Sequence, residues 1–180
     1  MREACSVLDL EVTYKPCPGA RAGFSDELFA KTGRRTVPYL EDNGAASGLK
    51  EGLFESDAII EYLFTAYGPG QGAVPLLLKG PFATITCGLA AVARSMPAAT
   101  RQPNARLDNE QMRTLTLFGY EASPFVKPVR EKLCMLALPH TVVHCARGSA
   151  NRAKLIARTG KQFQVRLSSP LSWYRKSRFA

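Results

Sequence analysis

Three short runs in this 180-residue chain carry side chains that could do chemistry. The first is Val37-Pro38-Tyr39-Leu40. Pro38 cannot donate within a sheet ladder, so it marks a strand start or a bulge. An ordinary trans proline opening an edge strand is the plainer alternative. The second run is Glu55-Ser56, with Ser56 placed where a helix N-cap should be and apolar periodicity directly after it. Its hydroxyl and the free N–H groups of the first turn would suit a carboxylate, and Glu55 could hold a neighbouring ammonium. A serine that merely caps its own helix competes with that role. The third is Tyr120-Glu121-Ala122-Ser123-Pro124-Phe125. Here a serine precedes a proline in the first turn of a helix, so a hydroxyl and helix-end N–H groups face the same point. His140 and His144 are four apart on an expected strand and share one face. Two imidazoles can begin a metal site, but no third ligand lies near them, so structural histidines and no metal are expected.

The elements that must position these groups follow from periodicity and punctuation. Residues 2–10 read as a helix and 11–15 as a strand, followed by a turn at Pro16, Pro18 and Gly19. Ser25-Asp26 can cap a helix to about Lys31, which Thr32-Gly33 ends. Val37–Leu40 and Leu53-Phe54 form the strands of an expected hairpin around Asn43-Gly44. Ser56 then caps a helix whose Ile59, Ile60, Leu63, Phe64 and Tyr67 make one apolar face. An apolar helix at 82–94 and a polar linker at 95–113 follow. Thr114–Tyr120 reads as a strand, 126–137 as a helix, 140–145 as a strand and 150–158 as a helix.

The chain also repeats itself. REACSVLDL at 2–10 corresponds to REKLCMLAL at 130–138, position for position. The same offset carries Cys17 onto Cys145 and Val37 onto Val165, and Lys31-Thr32-Gly33 falls on Arg158-Thr159-Gly160 with a one-residue slip. Duplication explains identities combined with a shared helix–strand–helix order better than chance does.

Composition sets the outer limits. Apolar residues make up 46% and charged residues 22%, enough to build a core and to exclude wholesale disorder. The net charge of +9 is unevenly placed: residues 1–68 hold 7 basic and 11 acidic residues, and 69–180 hold 17 and 4. That split argues for two units and against a uniformly basic nucleic-acid binder. The tail WYRKSRFA pairs aromatic with basic residues, yet no RNA-binding fold accompanies it, so a solvated end is expected. Five scattered cysteines without CxxC spacing imply a reducing compartment. The N-terminus has no signal-peptide core and the longest apolar run is too short for a bilayer, so a soluble protein is expected.

Val37-Pro38-Tyr39-Leu40 with Glu55-Ser56-Asp57-Ala58-Ile59 resembles the N-terminal, thioredoxin-like α/β domain of glutathione S-transferases. The resemblance implies a cis Val37–Pro38 bond, with the Val37 backbone pairing to the cysteinyl part of glutathione. It implies Glu55 and Ser56 on the γ-glutamyl group. Tyr120–Arg130 is similar to the active-site turn of serine-type plant transferases, which implies that Ser123 stabilises the glutathione thiolate. Val126 and Ser123 stand where a dithiol motif has cysteines, which disfavours disulfide reduction. The closest pattern is a plant-type protein with two such domains in tandem, incomplete here at both ends; its relatives imply plastid or cytoplasm.

The expected organisation is therefore a thioredoxin-like unit at 1–68 without the family's first strand, a helix and linker at 69–113, a second unit at 114–165 without the hairpin, and a basic tail at 166–180. Glutathione is the expected substrate or ligand, with weak or no transferase activity. A non-catalytic protein-interaction module is the alternative, and binding of anionic surfaces by the basic portion is a third. Because the first unit would leave strand edges open, Thr116–Phe118 is expected to pair beside Val37–Leu40 in one composite sheet.

Overall fold

In the computed structural model, helix α1 (Arg2–Val7) leads into strand β1 (Glu11–Tyr14), helix α2 (Ser25–Thr32) and a hairpin of β2 (Tyr39–Leu40) and β3 (Leu53–Phe54). Helix α3 (Ser56–Tyr67) and a 3-10 turn (Gln71–Ala73) close the first half. The second half runs β4 (Leu115–Gly119), α4 (Val126–Met135), β5 (His140–His144), α5 (Ala150–Thr159) and β6 (Arg166–Ser168). The structure describes residues 1–19, 23–44, 49, 51–75, 101–103, 105, 114–160 and 166–168. The expected helix at 82–94, nearly all of the linker, Phe163-Gln164-Val165 and the tail after Ser168 lie outside them.

Helix ends follow local chemistry. Both α2 and α5 stop at a glycine in the left-handed region, Gly33 (φ 69°) and Gly160 (φ 67°), a conformation that costs glycine least. Each of these glycines donates its N–H back into the last turn, to Phe29 and Ile156. Ser149 caps α5, its hydroxyl oxygen accepting from the Asn151 N–H at 3.0 Å. At α3 the sequence expectation is off by one: Glu55 (φ 70°) is the N-cap, Ser56 is the first helical residue, and no side chain caps the end. The chain reverses out of the hairpin at Glu55, and that turn sets where the helix begins.

Four strands form one sheet in the order β1-β5-β4-β6, and β2-β3 form a separate pair. Strands β4 and β5 are parallel, joined through α4 as a βαβ unit, whereas β6 lies antiparallel on the other side of β4. Strand β1 joins β5 antiparallel with Thr13 opposite Thr141, their hydroxyls 2.8 Å apart. These two threonines are related by the repeat offset, so corresponding strands meet about a local two-fold.

The composite sheet expected from sequence does not form. Thr116 and Phe118 pair with β5 and β6, and β2 pairs with β3 alone among the described residues. Closing β4–α4–β5 spans a short loop, whereas reaching β2 means closing a loop of more than 40 residues; the local pairing is entropically cheaper. Arg166–Ser168, expected to open a tail, is a strand on β4's remaining edge.

One sheet face packs on helices from both halves. Leu117, Val126, Leu133 and Val142 form a cluster that Tyr14 completes, while Val12 on the same side of β1 meets Cys5, Ile59 and Leu63 of α1 and α3. The opposite face holds Val143, Cys145 and Leu155 with Phe118. Gly119, buried on β4, lies directly under Val126, whose Cγ2 would collide with any added Cβ. Gly119→Ala should therefore cost about 1–3 kcal/mol in a urea melt, the usual penalty for overpacking; an unchanged midpoint would refute the close approach.

Candidate functional site

A cavity of about 820 Å³ opens between β1 and β2. Its walls include Val12 and Tyr14 of β1, Val37, Pro38 and Leu40 at the hairpin, and Leu63 of α3. The arrangement has a structural cause. Among the described residues β1 is the outermost strand of its sheet, and β2 uses its other edge for β3. Two strand edges therefore face one space.

Charged groups border the same space. Lys15 pairs with Glu27, and the Lys31 ammonium lies 2.6 Å from Glu41, which holds the lysine pKa above its ordinary value. Asp42 accepts from the hydroxyls of Tyr62, at 2.7 Å, and Tyr67. Burial works against the Asp42 carboxylate, but the Tyr67 and Tyr62 hydroxyls and the Gly44 N–H outweigh it and lower the pKa. The same contact pushes the Tyr67 hydroxyl up to about 12. Cys17 lines the cavity as a protonated thiol, because burial and then the Glu27 carboxylate raise its pKa.

The site residues expected from sequence are distributed as follows. Val37 and Pro38 lie on the cavity wall, and the bond between them is cis. Val37 keeps 58% of its surface exposed. Glu55 and Ser56 are exposed at the start of α3 and are not among the cavity's described lining residues. Neither is Ser123, which is only 4% exposed. Its N–H donates to the Tyr120 carbonyl, and its carbonyl accepts from Lys127 in the first turn of α4. The Glu121 N–H points at the Ser6 hydroxyl, 3.5 Å away, so this turn packs on α1.

His140 and His144 are fully buried, with His140 stacked on Tyr14 at 5.6 Å. Among the described residues no three ligating side chains cluster for a metal. Nor is any described helix long and apolar enough to cross a membrane.

Sequence reasoning missed the Asp42–Tyr62–Tyr67 cluster and the Glu121–Arg130 pair. Tyr67 had been assigned to the apolar face of its helix, and nothing local links it to an aspartate 25 residues upstream.

The cavity thus offers backbone edges, a cis-proline wall and paired charges, a setting suited to an extended, peptide-like ligand. No curated protein and no solved structure matches the chain. Residues 1–71, which contain β1, the Val37–Pro38 bond and α3, match the family model for the glutathione S-transferase N-terminal domain, a thioredoxin-like α/β region.

Proposed function

We propose that this glutathione S-transferase-like chain binds glutathione at the Val37–Pro38 wall of the cavity, with weak or no transferase activity. The observation that carries the proposal is the family match over residues 1–71 together with the place of Val37 and Pro38 on an 820 Å³ cavity. In this proposal Val37 presents its backbone to the cysteinyl unit, while Glu55 and Ser56 take the γ-glutamyl end. Ser123 would stabilise a thiolate only if a second, tandem domain of the same kind served the same ligand. A plant-type tandem arrangement and a plastid or cytoplasmic location extend the same proposal.

A thermal-shift titration with reduced glutathione tests it. Ligand that binds only the folded state stabilises it by about 2.7 kcal/mol at a hundred times Kd, so a rise of several degrees is expected. An unmoved midpoint at millimolar glutathione removes the proposal.

One observation favours the second reading, a non-catalytic interaction module. Glu55, Ser56 and Ser123 are not among the described residues that line the cavity, whereas two strand edges do face it. A folded protein that passes unretained through immobilised glutathione would favour this module.

A further inference from the structure

The second half of the molecule contains a template for what the cavity can hold. There β4 sits between β5, to which it is parallel, and β6, to which it is antiparallel. In the first half β1 corresponds to β5 and β2 to β6 at the repeat offset of 128, the separation of Thr13 and Thr141. Between β1 and β2, where the counterpart of β4 would lie, the structure has the 820 Å³ cavity. We propose that this cavity is a strand-acceptor slot that takes an extended peptide, parallel to β1 and antiparallel to β2, with the alternation of Leu115–Gly119. The inference rests on the tandem reading of the two halves and is independent of glutathione.

The register of the second half can be carried across and checked. Thr116 faces Thr141 and Ser168, Leu117 faces Val142 and Leu167, and Phe118 faces Val143 and Arg166. Subtracting 128 from each flanking number places the incoming residues between Thr13 and Leu40, between Tyr14 and Tyr39, and between Lys15 and Pro38. All six of these residues line the cavity. The correspondence was fixed by sequence identities elsewhere in the chain, so this agreement is an independent one.

The chemistry of the occupant follows from the walls. Main-chain edges on both sides supply hydrogen bonds to any extended backbone. On one face of β1, Val12 and Tyr14 lead to the apolar cluster of Cys5, Ile59 and Leu63, so alternate residues of the peptide must be apolar. A five-residue strand is about 17 Å long, and an added strand would continue the existing four-stranded sheet past β1. A peptide of alternating apolar and β-branched residues, supplied by a protein partner, meets these demands.

The probe is the synthetic peptide TLTLFGY, the sequence of residues 114–120, labelled with a fluorophore and titrated into the full chain without glutathione. Saturable one-to-one binding is expected, weakened at least tenfold when alternate peptide amides are N-methylated. A benzophenone replacing the peptide's phenylalanine should cross-link near Lys15 or Pro38. Failure to saturate, equal binding of the N-methylated peptide, or cross-links at the opposite end of the cavity overturns the proposal. So does self-association of the protein through this slot that the peptide cannot displace. If the peptide binds while the thermal-shift titration with glutathione stays flat, this inference stands and the glutathione proposal falls. The reverse pattern separates them the other way.

Discussion

Replacing Arg130 with methionine should destabilise the protein by about 3–5 kcal/mol, as expected when one member of a buried ion pair is removed. The Arg130 side chain is 8% exposed and pairs with Glu121, itself 14% exposed, at the turn that opens α4. Burial, reinforced by the like charge of Arg2, pushes the guanidinium down to about 10, so it remains a cation at neutral pH. Without it the Glu121 carboxylate would be left desolvated and unpaired between α1 and α4. The double variant Arg130→Met/Glu121→Leu should recover most of the loss, because exchanging a whole buried pair for apolar side chains is often close to neutral. Urea midpoints for the single and double variants check both statements. A single-variant loss below about 1 kcal/mol, the range of exposed pairs, would show that water reaches the pair.

The second large effect is a loss of stability on mild acidification. Burial pushes His140 and His144 below the ordinary histidine value of 6.5. At His140 the Leu138 carbonyl opposes this, 2.9 Å from Nδ1, while Arg2 and Arg130 reinforce it. At His144 Asp9 opposes and Arg130 reinforces. Nε2 of His140 and both ring nitrogens of His144 have no hydrogen-bond partner among the described residues, so nothing there supports a second proton. The folded state therefore holds both rings neutral, whereas the unfolded chain takes up protons near pH 6.5. Below that pH the unfolded state binds more protons, and stability falls at about 1.4 kcal/mol per pH unit for each histidine until its folded pKa is reached. Above pH 6.5 this contribution is complete. Urea melts from pH 7.5 to 5 should show the slope, and a His140→Phe/His144→Leu variant should flatten it. An equal slope in the variant would assign the acid sensitivity to other groups.

Elements were legible in the sequence because their causes are local. Glycine punctuation ended α2 and α5 at Gly33 and Gly160, and apolar periodicity marked α3 by Ile59, Ile60, Leu63 and Phe64. The strands around Thr13, Leu117 and Val142 came from β-branched and apolar runs. The Val37–Pro38 bond is cis as expected from the resemblance, and the repeat itself lies in the sequence. Tertiary structure alone decided which edges meet. Strand propensity is a property of a few neighbouring residues, but partner choice depends on which closures are cheap and which edges are already taken. Strand β4 was claimed on both sides within its own half, so β1 joined the molecule through Thr13 and Thr141 and a cavity remained beside it. The fate of Ser123 was decided the same way. Its serine-proline helix start is legible locally, but its burial against α1 arises only when two halves more than a hundred residues apart pack together.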